Sequence, residues 1–290
     1  MDKIHRFLID ESNVRGELVQ LETSWQALIA TTDYPAPVRQ MLGEAYAAVA
    51  LLSATIKYRG TLVVQVNGGK PLSLLVVQAT SEGHLRGMAR WSGDINEVPA
   101  TVKDMFGVDA TLVITVQAEE GQGERYQSIV SLEGETLSDC LTVYFEQSEQ
   151  LKTRIKLAVG EKSVAGLLVQ KLPGEAKDVD GWNRASMLAE TIQHTELLDL
   201  SAEVILNRLF NQEVVRLFEG EDLSFKCSCS QQKVEDMLIG LGQKEADATM
   251  KEQGSIDIDC DFCNAHYAVD EVDLARIFSE SVVLGTNSLH

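Results

Sequence analysis

Four of the five cysteines in this chain of 290 residues fall in one C-terminal stretch, as Cys227-Ser228-Cys229 and Cys260-Asp261-Phe262-Cys263, with 30 residues between the pairs. Two close thiol pairs supply four soft ligands, the donor set of a closed tetrahedral zinc site. A closed site keeps no open position for water or substrate, so it does not read as a hydrolytic centre. Two roles stay open. The metal can hold a small domain together, or the site can act as a thiol switch, because zinc keeps its ligands deprotonated and the thiolate is what oxidants attack.

The spacing admits a purely structural ribbon, although ribbons commonly pair two C-x₂-C units about 15–20 residues apart. A disulfide closed across Ser228 alone makes a small strained ring, and strain makes a bond labile. A labile bond suits a reversible sensor better than a permanent staple. His266 follows Cys263 at ligand spacing, but four thiolates already complete a shell, so it reads as a surface residue or one that supports the ligands. Asp257, Asp259 and Asp261 share a period of two and so one face of a strand, where solvation explains them better than a second metal. The remaining thiol, Cys140, sits in a helical stretch and reads as a small buried hydrophobe.

No other chemistry stands out, and the chain reads as no enzyme. It carries no phosphate-binding glycine-lysine loop and no G-x-G-x-x-G; Gly121-Gln122-Gly123 is too short a fragment. Its histidines, His5, His84, His194, His266 and His290, are scattered without a nucleophile beside them. The formal net charge is −19, with 25 Lys and Arg against 44 Asp and Glu. Duplex binders draw affinity from cations on phosphate, so neither nucleic acid nor an anionic membrane is an expected partner. The polar residues 1–10 do not form a secretory apolar segment, and no apolar run reaches the roughly 18 residues of a membrane span. A reduced, cytoplasmic setting is therefore expected, with metal favoured over disulfides.

The elements that must position the cysteines follow. Pro35–Tyr58 is rich in Ala and Leu, opens on prolines and predicts a buried helix. Thr61–Val66 and Pro71–Val77 flank Asn67-Gly68-Gly69 as a hairpin. Further strands are predicted at His84–Arg90, Thr111–Gln117, Arg125–Leu132, Ile155–Val159 and Gly166–Gln170, with a helix over Leu137–Leu151. Clustered strands with segregated helices predict an α+β fold, a mixed-sheet domain over 1–174. A thin helical linker over 175–225 follows, with Ser201 as an N-cap. Leu206, Phe210, Val214 and Phe218 recur every four residues there and predict an apolar helical stripe that must lean on a neighbour. The small zinc-binding domain, 226–290, holds helix candidates at Lys233–Ile239 and Glu271–Phe278, the stretch Glu245–Glu252, and a strand from Ser255 to Asp259. So small a core is marginal without its metal, which contributes on the order of 10–16 kcal/mol in zinc-finger peptides.

Phe225-Lys226-Cys227-Ser228-Cys229-Ser230 and Cys260-Asp261-Phe262-Cys263-Asn264-Ala265-His266-Tyr267 resemble the C-terminal switch of the redox-regulated 33 kDa heat-shock chaperones. Arg15-Gly16-Glu17-Leu18-Val19, Asp33-Tyr34-Pro35-Ala36-Pro37-Val38, Gly123-Glu124-Arg125-Tyr126-Gln127 and Ser148-Glu149-Gln150-Leu151 fit the same family, so the resemblance spans nearly the whole chain. It implies an ATP-independent holdase for unfolded client proteins, inactive while reduced and zinc-bound. It implies one Zn²⁺ per chain on Cys227, Cys229, Cys260 and Cys263, with disulfides Cys227–Cys229 and Cys260–Cys263 and zinc release on oxidation. Unfolding of the linker and a homodimer when oxidised are implied as well. The rival reading is a zinc-ribbon module that binds a protein partner without redox switching.

Overall fold

The computed structural model describes residues 2–95, 101–119, 126–174 and 176–286. Gly121–Gly123, Glu124, Arg125 and His290, which figure in the sequence reading, lie outside them. The chain forms two compact units, Met1–Lys226 and Cys227–His290. The first unit opens with β1 (Lys3–Ile9), β2 (Val14–Leu21), α1 (Thr23–Ile29) and α2 (Ala36–Thr55). There follow β3 (Gly60–Asn67), β4 (Leu72–Thr80), β5 (His84–Trp91), α3 (Val102–Phe106), β6 (Thr111–Ala118), β7 (Tyr126–Ser131) and α4 (Leu137–Gln147). Then come β8 (Thr153–Val159), β9 (Val164–Lys171), α5 (Gly181–Glu190), α6 (His194–Asp199) and α7 (Ala202–Phe210). Three short strands close the unit, β10 (Val215–Leu217), β11 (Glu221–Asp222) and β12 (Ser224–Phe225).

Two sheets share one core. The first runs β10-β1-β2-β9-β8, with β11 also on β1; the second runs β12-β5-β4-β3-β6-β7. Every pairing is antiparallel except β12 with β5. The buried helix predicted from Pro35 is α2, and 13 of its 20 residues are buried. Small residues let both sheets close on it: a Cβ on Gly43 would stand 2.9 Å from the methyls of Val159. Its Leu42, Tyr46 and Leu51 join Leu62, Val77, Ile114, Val19 and Leu168 in the main cluster.

The outer face of the first sheet carries a second cluster, in which Phe7, Ile9, Leu18, Leu167 and Val169 pack on Trp182, Ala185, Ile205, Leu206 and Phe210 of α5 and α7. That sheet is therefore covered on both sides, which is why Val164–Gln170 is buried without alternation. The helices after 175 thus lean on a neighbour, as their thin apolar content requires. Ser201 caps α7 as expected, accepting the Val204 amide at 3.4 Å.

The predicted stripe Leu206-Phe210-Val214-Phe218 breaks after its second member. The helix ends at Phe210, and Val215–Leu217 instead pairs with β1, Phe7 opposite Leu217 and Ile9 opposite Val215. The edge of β1 offers unpaired amides and carbonyls, and β-branched Val214 and Val215 suit a strand better than a further helical turn. Val214 and Phe218 are left exposed, at 64% and 42%.

The second unit has its own small core. It comprises α8 (Gln231–Leu241), α9 (Gln243–Gln253), the hairpin β13 (Ile256–Asp259) with β14 (His266–Val269), and α10 (Glu271–Thr286). Val234, Leu238, Met250, Ile256, Val269, Leu274, Ile277 and Phe278 pack together there.

Candidate metal centre

The first cysteine pair lies in the extended stretch just before α8. Ser230 ends that stretch by capping the helix, accepting the Lys233 amide at 3.3 Å. Lys233 in turn reaches back to the Ser228 hydroxyl at 3.0 Å. The second pair occupies the turn of the β13–β14 hairpin. Cys260 donates its amide to Ala265 at 3.0 Å, and Asn264 donates to the Cys260 carbonyl at 2.7 Å. Asn264 adopts the left-handed conformation, φ 54°, that so tight a turn requires and that asparagine tolerates.

These supports bring four sulfurs together. The Sγ atoms of Cys227, Cys229, Cys260 and Cys263 all lie within 4.8 Å of one another, and all four residues are half-buried. Cys227 meets Cys260 at 3.6 Å and Cys229 meets Cys263 at 3.4 Å. A zinc–sulfur bond of about 2.3 Å implies tetrahedral edges of about 3.8 Å. The donor set and its spacing fit such an ion, and all five cysteines are free thiols.

Backbone amides are aimed at the sulfurs. The Cys229 amide bonds the Cys227 sulfur, those of Phe262 and Cys263 bond Cys260, and that of Ala265 bonds Cys263. Burial raises the Cys227 pKa, but the Cys229 amide and the neighbouring thiols outweigh it and hold the thiol at about 7. Burial and the sulfurs of Cys229, Cys227 and Cys260 push Cys263 the other way, up to about 12. Four thiolates at this spacing repel one another, and a dication is the charge that relieves them.

His266 stands outside this set. Its Nδ1 lies 2.8 Å from Asp259 and its Nε2 3.2 Å from Asp257. The Asp259 hydrogen bond is the main reason that its pKa is raised. The two aspartates are thus exposed, as expected, but they grip His266 across the hairpin, a role that their period of two does not disclose. Tyr267 is a further neighbour missed from sequence: the Cys229 sulfur beside its hydroxyl pushes its pKa up to about 12. Cys140 is fully buried on α4, and burial followed by Asp139 pushes its thiol up to about 11.

This α+β fold with a four-thiol cluster defines a class of chaperone once the chain is compared with known proteins. The family model described as Hsp33 protein matches residues 2–270. The 33 kDa chaperonin of Nitrosococcus oceani is 47% identical over 281 residues, 97% of this chain and 96% of the relative. That of Shewanella denitrificans is 45% identical over 280 residues, again 97% and 96% of the two chains. The crystal structure of the 33 kDa chaperonin, a heat shock protein 33 homolog, from Thermotoga maritima superimposes with a TM-score of 0.79. At 21% identity, over 97% of this chain and 99% of that one, it shows the shared fold. The chain belongs to the Hsp33 family. Membership makes it a chaperone, and its relatives are named chaperonins, not enzymes. No helix among the described residues is long and apolar enough to cross a membrane.

Proposed function

We propose that the chain is an ATP-independent holdase of the cytoplasm, switched by oxidation at Cys227, Cys229, Cys260 and Cys263. The observation that carries this reading is the gathering of those four sulfurs within 4.8 Å. One Zn²⁺ bound there would keep all four as thiolates, the form that an oxidant attacks. The backbone amides on Cys227, Cys260 and Cys263 orient the sulfurs and favour the same form.

Oxidation by a peroxide-class oxidant joins Cys227 to Cys229 and Cys260 to Cys263. Each bond takes two thiolates to one disulfide, and the two electrons, with two protons from solvent, reduce one hydrogen peroxide to two waters. Sulfurs tied into disulfides carry no thiolate charge and release the metal. Pairing within each local unit leaves the start of α8 and the hairpin unconnected. About 10 kcal/mol or more of metal-linked stability is then lost, more than so small a core supplies.

In this reading 175–225 is a metastable linker and 226–290 the switch domain on a chaperone domain of 1–174. Release of α5–α7 from the first sheet would uncover Phe7, Leu18, Leu206 and Phe210, apolar surface suited to unfolded clients. An oxidised homodimer is part of the same proposal. Light scattering of a heat-unfolded client decides it, with reduced and oxidant-treated chain compared and zinc followed alongside. Suppression only after oxidation, with about one zinc released per chain, is expected. Equal suppression by both forms, with zinc retained, would leave the zinc-ribbon interaction module instead.

A further inference from the structure

The first unit holds a cavity of about 580 Å³ at the end of α2, lined among others by Arg6, Lys57, Arg59, Thr80, Ser81 and Glu221. Three cations face it and Glu221 is its one carboxylate, in a chain with 44 acidic side chains against 25 basic ones. Such a reversal of the overall charge needs a local reason. Lys57 and Arg59 form no ion pair among the described residues, unlike Arg154, Arg184, Arg208, Arg216 and Arg276. Arg6 is only partly engaged, 3.4 Å from Glu221.

Hydroxyl donors complete the lining. The Thr80 oxygen accepts the His84 amide at 3.2 Å, and the Ser81 oxygen accepts the Gly60 amide at 3.2 Å. Each hydroxyl is thereby anchored as an acceptor while its own hydrogen remains to donate. Guanidinium groups, an ammonium and hydroxyls are the donors that recognise phosphoryl oxygens.

We propose that this cavity binds a polyvalent oxyanion of the phosphate class, held by Arg6, Lys57 and Arg59, with Glu221 as the internal anion that competes for Arg6. The site shares no residue with the thiol cluster, so it stands or falls apart from the redox reading. The ligand's phosphates can be free or borne on an organic body.

Titration calorimetry on the reduced, zinc-loaded full chain tests this, using inorganic pyrophosphate and a nucleoside diphosphate, with zinc content measured before and after. Binding of both is expected; equal affinity assigns recognition to the phosphates alone, and a tighter diphosphate ester adds contacts from its organic body. The double variant Lys57→Gln, Arg59→Gln should weaken pyrophosphate about tenfold or more, since a hydrogen bond to a charged group is worth about 1.5–3 kcal/mol. Glu221→Gln should tighten it by up to about fivefold, the scale of one exposed ion pair. Lys244→Gln, which removes one positive charge from the second unit, should leave it unaltered. Absence of binding by the parent chain would overturn the proposal. So would binding by the double variant equal to the parent's, or weakening by Lys244→Gln as large as the double variant's.

Discussion

Cys227 and Cys260 stand sulfur to sulfur at 3.6 Å although they are 33 residues apart in the chain. Together with the 3.4 Å contact of Cys229 and Cys263, this ties the lead into α8 to the turn of the β13–β14 hairpin. A metal among these sulfurs therefore joins two separately built pieces, and its removal acts on the whole second unit.

If the four sulfurs hold zinc as proposed, Cys260→Ser should abolish tight zinc binding and lower amide protection from Cys227 to Thr286, while β1–β9 stay protected. The separate cores of the two units are the reason. Metal analysis with hydrogen exchange reads both effects. Uniform loss of protection along the chain would refute the modular account.

Disulfide mapping after oxidation separates two outcomes, both within reach because every sulfur lies within 4.8 Å of the others. Local bonds, Cys227–Cys229 and Cys260–Cys263, are expected, and they leave the pieces free to part. Cross-bonds Cys227–Cys260 and Cys229–Cys263 would instead staple them and keep the unit folded. Peptide mass spectrometry showing cross-bonds in an active oxidised chain would contradict the proposed release.

Alkylation distinguishes Cys140 from the four clustered thiols. In the reduced, metal-stripped chain at neutral pH, four thiols should react and the fifth only after denaturation. Burial excludes the reagent from Cys140 and keeps it protonated, with its pKa near 11. Five equivalents of label taken up under native conditions would count against this.

Gly220 lies against the ring of His5, and a Cβ there would stand 2.5 Å from its Cε1. Gly220→Ala should push β10 and β11 off β1 at a cost of about 1–3 kcal/mol, the usual scale of overpacking. Faster exchange over Val215–Asp222 is the expected sign, because Phe7–Leu217 and Ile4–Glu221 are paired positions in that register. An unchanged melting point and exchange pattern would show that the ring moves aside freely.

Glu17 supplies a pH test. It is 2% exposed, opposite Arg6 in the β1–β2 register, and burial lifts its pKa from 4.5 to about 7 against the pull of Arg15 and Arg6. A carboxyl raised in the folded state favours folding below its unfolded value of 4.5, and that advantage is lost as pH climbs through about 7. Glu17→Gln should remove that loss, stabilising the first unit by about 3 kcal/mol at pH 8 and by only about 1 kcal/mol at pH 5. Denaturant midpoints at the two pH values measure it. Equal shifts at both would show that ionisation is not the cause.

Much of the fold is legible locally. The helix from Pro35, the Asn67-Gly68-Gly69 hairpin and the strands at 84–90 and 111–117 follow from apolar content and turn residues, and each forms within a few residues of its predicted bounds. The predicted helix Leu137–Leu151 stops at Gln147, and Gln150 turns left-handed at φ 56° before β8 begins. Lys3–Leu21 gives no clear local signal, because His5, Arg6, Glu17 and Gln20 interrupt its apolar pattern, yet β1 and β2 supply the middle of the first sheet. Charged residues are tolerated there because their partners come from far along the chain: Arg15 bonds the Gln170 side chain at 2.6 Å.

The chain alone determined which residues could bind a metal, because ligand chemistry belongs to residue type and four thiols in two close pairs have few other uses. It also determined that the segment after 175 cannot stand by itself, since apolar content sets how much surface a stretch can bury. Only the tertiary structure decided that Val215–Leu217 leaves the helical stripe for the edge of β1, that His266 belongs to Asp257 and Asp259, and that Cys227 faces Cys260. Those outcomes depend on partners brought together by folding, and hydrogen-bonding groups distant in sequence carry no periodicity that a local pattern can register.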